Sequence, residues 1–560
     1  MTNSHDITGI SEKIDDHRGS VDSGVTISTI EILPEKNVEY FEKALEHLKF
    51  GQFNIFIILI SGMVLANVLL ETLGISFVLP VSQCELNWTI EEKGILSAVG
   101  FIGIIISSHL WGFLADTMGR RKVIRPTLIM GFVFSVLSSF SNSFGVLVTF
   151  RLLNGICVSG GSATIYAYLG EFHTLKNRDR AIMCAAIIFG FGSIMLPAIA
   201  WLIINREWMF YIPLIDVMYK PWRLFMVVCA VPGLICGLAL FKLPESPKFL
   251  LSSGREDETL EILKNIYATN TGNDRDCFPV SQVLKDIDIA MLPKTAIDKS
   301  NPVASLLKAM WNQTAPLFSR EYIRITLLVC LIQFIIFATS NGMYMWFPDI
   351  LNSVMKYETA NEGQSAYICD IYKKTLDEIY NTTMVNECIT KLEIQTYTYS
   401  LLLELTYILG FVVFSLIINT VPKIYIIWFT LCACGAAGIA TVSTDIPMLA
   451  ICFYLGLLSC GLAINVLGSS TVGLYPTRLR AMAVCISLMM GRLGSVVGAN
   501  YIGALLKNNC EVSFYACGAT LIVAGFLAFL VPKPITGNIE APKRISLVSV
   551  VSMNSMVGRN

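Results

Sequence analysis

Apolar runs of about twenty residues recur twelve times along this chain, and no other feature constrains its fold as strongly. A helix rises about 1.5 Å per residue, so such a run covers the roughly 30 Å hydrocarbon core of a bilayer. The runs lie near 54–79, 94–115, 123–143, 145–170, 181–204, 223–242, 323–348, 397–420, 424–442, 447–473, 481–505 and 513–532. Inside lipid every backbone N–H and C=O must be paired within its own segment, so each run is expected as a helix. Only 15% of the 560 residues are charged, against about 25% in an average soluble protein, so most of the chain belongs in a membrane. The fold class expected is an all-α membrane protein with twelve transmembrane helices in two six-helix halves.

Charge sets the orientation. Arg120, Arg121, Lys122, Lys176, Arg178, Arg180, Lys423, Arg478 and Arg480 fall in short loops on one side. The opposite short loops carry mainly Lys93, Arg206, Lys220 and Lys507. Cationic loops stay in the cytoplasm, which puts both termini there. The expected division is a polar N-terminal tail over 1–50 and a first half over 51–242. A charged cytoplasmic linker follows over 243–321, with a helix from Glu256 to Ile266, then a second half over 322–532 and a C-terminal tail over 533–560. Phe41, Ala44, Leu45 and Leu48 mark an amphipathic helix at the end of the N-terminal tail, expected on the membrane surface. No cleavable signal peptide is expected, because residues 1–50 are polar and the first apolar run is long enough to span.

The opposite side has one long loop, 349–396, holding Cys369, Cys388 and the N-glycosylation sequon at Asn381. In an oxidising compartment a Cys369–Cys388 disulfide is expected there. Cys84 and Cys510 face the same side and form a second candidate pair, since spacing alone does not give connectivity. Asn87-Trp88-Thr89 is a further sequon close to the membrane.

Ionisable residues inside a spanning helix are costly, which makes each a functional candidate. Four stand out: Glu71 in span 1, Arg151 in span 4, Glu404 in span 8 and Arg492 in span 11. Counting along antiparallel helices puts Glu71 and Arg151 at a common depth, roughly 9–14 Å below the outer surface. They are expected to meet as an ion pair. If substrate or a conformational change parts them, the carboxylate can take a proton, which would couple proton movement to transport. A static pair that only fixes helix packing is the alternative.

The net charge of −1 argues against a nucleic-acid partner. No P-loop, glycine-rich dinucleotide turn, zinc-spaced Cys/His cluster or Gly-x-Ser-x-Gly motif occurs. No cofactor, metal or catalytic residue is therefore expected. The partners expected are a small organic solute, protons and the bilayer, with the chain acting as a monomer in a plasma or vesicle membrane.

The turn between the second and third runs reads Gly112-Phe113-Leu114-Ala115-Asp116-Thr117-Met118-Gly119-Arg120-Arg121-Lys122. It resembles the helix 2–3 signature of the major facilitator superfamily. Further stretches are similar to one branch of it, the synaptic vesicle glycoprotein 2 and related vesicle-protein group. They are Arg151-Leu152-Leu153-Asn154-Gly155, Tyr168-Leu169-Gly170-Glu171-Phe172, Pro244-Glu245-Ser246-Pro247-Lys248-Phe249-Leu250, Trp346-Phe347-Pro348-Asp349 closing span 7, and Leu474-Tyr475-Pro476-Thr477. The resemblance covers about 38–532 and implies alternating access between two halves. By it, Glu71 and Arg151 match an acid and an arginine that couple protons in related sugar carriers. It also implies that spans 1, 4, 7 and 10 line the cavity. Asn154 and Tyr166, Asn341, Tyr344 and Trp346, and Asn465 are then candidate substrate contacts. Asp116, Arg120, Arg121, Glu171 and Arg180 become a cytoplasmic gate network, while the second-half counterpart is reduced to Asn419-Thr420-Val421-Pro422-Lys423. The function expected is transport of a small organic solute by alternating access, coupled to protons. The alternative is a transport-silent vesicle or surface protein acting as receptor or trafficking partner.

Overall fold

The computed structural model describes residues 38–532, apart from 87, 286–307, 309–310, 313, 362–363, 383–390, 418–419 and 476. Twelve helices in it are long and apolar enough to cross a membrane. Spans 1–6 are Gln52–Gln83, Ile90–Met118, Arg120–Ser139, Phe144–Gly170, Leu175–Ile204 and Pro221–Ala239. Spans 7–12 are Ile323–Ala360, Ile394–Ile417, Lys423–Ser443, Pro447–Thr471, Met482–Asn508 and Cys510–Leu530.

Span 7 runs longer than expected. Trp346-Phe347-Pro348-Asp349 does not close it; the helix continues through Pro348 to Ala360. A proline forfeits one donor and crowds the preceding turn. Here Ile350, Leu351, Val354 and Met355 beyond it are all buried, and that packing carries the helix on. Span 10 is interrupted: a 3-10 turn at Ser459–Gly461 separates Pro447–Leu458 from Leu462–Leu474. Tyr407 of span 8 donates its hydroxyl to Leu458 O at 2.6 Å beside that turn. Within each half, glycines let helices touch backbone to backbone. A Cβ on Gly155 of span 4 would lie 2.3 Å from Gly100 O of span 2, and one on Gly498 of span 11 would lie 2.2 Å from Ala338 O of span 7.

The face carrying the N-terminal tail and linker is called the tail face, and the opposite one the loop face. On the tail face, strand β1 (Val38–Tyr40) pairs in parallel with β4 (Gln282–Leu284) of the linker. The tail helix Phe41–Glu46 does not lie apolar side down on a membrane. Phe41, Ala44 and Leu45 are buried in a cluster with Leu263, Ile266 and Phe278 of the linker. The linker helix, Glu256–Thr271, supplies Asn270, whose side chain bonds Leu48 O and Lys49 O and accepts Phe53 N–H. These bonds fasten tail, linker and span 1 together. On the loop face, β2 (Phe210–Ile212) and β3 (Val217–Tyr219) form an antiparallel hairpin between spans 5 and 6. A loop helix, Ile368–Thr382, follows span 7.

Candidate functional site

Glu71 and Arg151 do meet. Arg151 Nη1 donates to Glu71 Oε2 at 3.3 Å, and both side chains are buried. Ser135 of span 3 donates to the same carboxylate oxygen at 3.0 Å and also reaches Met226 O of span 6. The pair therefore sits among spans 1, 3, 4 and 6, inside the first half. Arg151 Nε and Nη2 are buried with no hydrogen-bond partner among the described residues. A guanidinium with two orphaned donors is under-satisfied, and groups of that kind require an explanation beyond packing.

Glu404 and Arg492 are not a pair. Glu404 accepts the Tyr344 hydroxyl at 2.9 Å and lies against Ser193 of span 5. This buried acid thus stands where the two halves meet. Arg492 lies near Tyr166 of span 4 and Cys485. Sequence spacing could not place Glu404 on the seam, because the partners come from spans 5 and 7.

The candidate substrate contacts divide. Tyr166 and Asn465 are exposed. Asn154 donates to Gly131 O at 3.0 Å, Asn341 to Ser495 Oγ at 2.9 Å, and Trp346 to Ala499 O at 2.9 Å. These three side chains are engaged in helix-to-helix bonds. Polar groups that lie at a helix–helix contact find each other there because hydrocarbon offers no alternative partner.

The loop face carries contacts between the halves that the sequence did not suggest. Lys93 of span 2, 1% exposed, places Nζ 3.1 Å from Asp349 Oδ2 of span 7. Tyr372 of the loop helix donates its hydroxyl to the same oxygen at 3.1 Å. Burial and the neighbouring Asp349 carboxylate hold the Tyr372 phenol well above its usual range, so it remains a donor. Asn205 at the end of span 5 donates to Leu392 O at 2.9 Å and accepts the Tyr397 hydroxyl at 2.8 Å. Phe77 stacks on Tyr397 with centroids 6.1 Å apart. Glu91 pairs with Lys507 at 2.9 Å, and Glu207 pairs with Lys391. Lys93 and Asp349 are 256 residues apart, and nothing local marks them as partners.

The tail-face network is confined to the first half among the described residues. Arg120 pairs with Asp116 at 2.9 Å and with Glu171 at 3.1 Å, and its guanidinium lies over Phe249. Burial raises the Glu171 carboxyl above its ordinary value of 4.5, while Arg120 opposes the shift. Arg121 turns away from these acids, and its guanidinium bonds Leu240 O and Phe241 O at the end of span 6. Arg180 is exposed and, among the described residues, joins no ion pair of this network. Glu245 is a participant that the sequence did not mark. It accepts the backbone N–H of Arg121 at 3.0 Å, which puts a carboxylate at the N-terminus of span 3. Gly119, at φ +109°, makes room for it, since a Cβ there would lie 2.5 Å from Glu245 Oε2. In the second half Lys423 bonds Ser469, its hydroxyl at 2.5 Å and its carbonyl at 3.2 Å. A neutral partner stands there in place of an acid.

The disulfide differs from both expectations. Cys369 is bonded to Cys510 at the start of span 12, not to Cys388, and Cys510 is thereby unavailable to Cys84. Cys388 lies outside the described residues. The loop helix Ile368–Thr382, unseen in the sequence, brings Cys369 and Tyr372 onto one buried face, which directs the cysteine to the span. Asn381 falls near the end of this helix. In the second sequon Thr89 is occupied as the N-cap of span 2 in a capping box with Glu92, and Trp88 is buried.

Comparison with known proteins agrees with this architecture. Synaptic vesicle glycoprotein 2A of Rattus norvegicus is 28% identical over 337 residues, 58% of this chain and 45% of the relative. Synaptic vesicle glycoprotein 2B of Mus musculus is 27% identical over 364 residues, 63% of this chain and 53% of the relative. The chain thus matches about half the length of these curated relatives. Among solved structures, the xylose transporter XylE from E. coli in a partially occluded inward-open conformation superposes with TM-score 0.59. It is 15% identical, and the match covers 87% of this chain and 98% of that one. A bacterial homolog of the human lysosomal transporter Spinster, inward-facing and occupied, gives TM-score 0.56 at 13% identity, covering 86% and 97%. The family model described as Major Facilitator Superfamily matches residues 54–369, more than half of the chain, and to that superfamily the chain belongs.

Proposed function

We propose that this protein carries a small organic solute across a membrane by rocking its two six-helix halves, and that buried acids couple the movement to protons. The halves are residues 51–242 and 322–532, joined by the linker at 243–321. The tail face is cytoplasmic and the loop face extracellular or lumenal, in a plasma or vesicle membrane, and one copy suffices. The observation that carries the reading is the asymmetry of the seam. Lys93–Asp349, Glu91–Lys507, Glu207–Lys391 and the Asn205 bonds all join the halves on the loop face. On the tail face the described ion network of Asp116, Arg120 and Glu171 stays within the first half. A permanently fused bundle has no need to concentrate its ties on one face, whereas alternating access requires one face closed while the other is free.

Two acids serve proton coupling in this reading. Glu71 is held by Arg151 within the first half, and Glu404 meets Tyr344 and Ser193 at the seam. Rocking changes the surroundings of Glu404 most directly. The test is uptake of a mixed solute panel into proteoliposomes, with and without a pH gradient, by wild type, Glu71→Gln and Glu404→Gln. Gradient-driven uptake abolished by either substitution supports coupling through that acid. Uptake indifferent to pH and to both acids leaves a uniporter.

A second reading, a transport-silent receptor or trafficking protein, is favoured by one observation. The described tail-face charge network of the second half is reduced to Lys423 on Ser469. Folded protein that moves no solute in any condition would select it.

A further inference from the structure

The hairpin between spans 5 and 6 is built unlike an aqueous loop. Its inner side is an aromatic stack. Tyr219 faces Phe210 at 5.2 Å and Trp208 at 6.2 Å between ring centroids, and rests on Phe140 at the end of span 3 at 5.3 Å. Its outer side is apolar and uncovered: Leu214 at the tip is 93% exposed, Met209 69% and Tyr211 53%. Single exposed apolar residues are ordinary, but several together on one short connection form a patch that needs an occupant. The charges of the hairpin are partnered, although Arg206, Glu207 and Asp216 are exposed. Asp216 accepts the Tyr211 hydroxyl at 2.7 Å, Glu207 pairs with Lys391, Lys220 lies 3.4 Å from Glu85, and Arg206 Nε bonds Leu202 O.

The patch is continuous with the apolar exterior of the spans. Trp201 and Leu202 at the loop-face end of span 5, and Leu137 and Phe140 at that of span 3, are exposed beside its base. β2 and β3 are three residues each, so each strand reaches about 10 Å. That reach exceeds the headgroup layer on one side of a bilayer, roughly 5–8 Å deep, so the hairpin rests there only by lying obliquely with its apolar side down. Aromatic side chains that are apolar in body and polar at one end settle in that layer.

We propose that this hairpin is a membrane-interface anchor: Met209, Tyr211 and Leu214 rest in the headgroup–acyl boundary of the loop-face leaflet, beside spans 3 and 5. The occupant is the lipid surface itself, not a second protein. Because the cations Arg206 and Lys220 balance the anions Glu207 and Asp216, the contact is carried by the apolar side chains and is indifferent to lipid charge. The anchor sits next to the Asn205 and Glu207 ties, so it steadies the first-half edge of the loop-face seam.

The test places a nitroxide on Leu214→Cys in the full chain, with the exposed Cys184, Cys277, Cys452 and Cys485 changed to Ser and the Cys369–Cys510 bond retained. The protein is reconstituted in phosphatidylcholine vesicles. Lys373→Cys on the exposed side of the loop helix is the aqueous control. Relaxation by oxygen, which concentrates in lipid, is compared with relaxation by a water-soluble nickel chelate. The expected oxygen-to-nickel ratio at position 214 is several-fold above that at 373, and unchanged by adding phosphatidylserine or salt. A ratio equal to the control would overturn the anchor, because the tip would be in water. Protection from both reagents would also overturn it, by showing a protein cover. A high ratio that appears only with phosphatidylserine would refute the apolar mode. If Leu214→Cys alters folding, the same readout at Met209→Cys decides.

Discussion

Removing the amine of Lys93 tests the seam most directly. Lys93→Ala leaves the Asp349 carboxylate, 13% exposed, with the Tyr372 hydroxyl as its remaining partner among the described residues when the loop face is closed. Breaking a buried ion pair by deleting one member costs about 3–5 kcal/mol, because the other charge is stranded. The remaining Tyr372 bond and the partial exposure of Asp349 reduce this, and about 2–3 kcal/mol is a fair figure. When the loop face opens, water reaches Asp349 and the penalty vanishes, so the cost falls on one conformation only. At about 1.36 kcal/mol per decade, the open population rises roughly 30- to 150-fold. The reporter is Ser400→Cys, a near-isosteric change at a buried position of span 8 between Tyr397 and Glu404. Its modification by a membrane-impermeant maleimide added from the loop side is expected to accelerate by a similar factor in Lys93→Ala. The charge swap Lys93→Asp with Asp349→Lys is expected to recover part of the slow rate. An unchanged rate in Lys93→Ala would refute the reasoning and leave the pair a bystander.

Three further outcomes follow from the geometry. Cys510→Ser is expected to free Cys369 for alkylation while Cys388→Ser is not, as read by mass spectrometry; the bond closes a separation of 141 residues, worth roughly 4–5 kcal/mol in a chain-entropy model, so Cys510→Ser also lowers Tm. Gly119→Ala forces a side chain into φ +109° and against Glu245, costing about 1–3 kcal/mol in the backbone alone, and an unchanged Tm would remove Glu245 from its capping role. Glu171 titrates with a pKa raised above 4.5 in the folded protein, so the folded state holds its proton longer than the unfolded one. Its contribution is therefore greatest at acid pH and falls as pH rises above the ordinary carboxylate range, and Glu171→Gln should flatten that part of the Tm–pH curve.

The Glu71–Arg151 contact was legible because depth in a spanning helix is a linear count, and two charges at equal depth have few other partners. Arg120 with Asp116 was legible because the two are four residues apart in one tight turn. Arg180 and Arg121 were misplaced for the opposite reason. Both lie near the acids in sequence, but helix ends direct Arg121 to the span 6 carbonyls and leave Arg180 exposed. The tail helix was misread because amphipathicity states that one face is apolar without stating what covers it. Here the linker does, and the bilayer does not.

What the sequence determined by itself is the count of spans, their alternation, the membrane as solvent and the identity of the buried charges. Each of these follows from local composition, since about twenty apolar residues in lipid can satisfy their backbone only as a helix. The tertiary structure alone decided which charges face each other across the halves. Lys93 with Asp349, Glu404 with Tyr344 and Ser193, and Cys369 with Cys510 join residues from distant parts of the chain. Their pairing depends on how helices rotate and pack, and in hydrocarbon that is set by shape and scarce polar partners, not by any pattern readable along one strand of sequence.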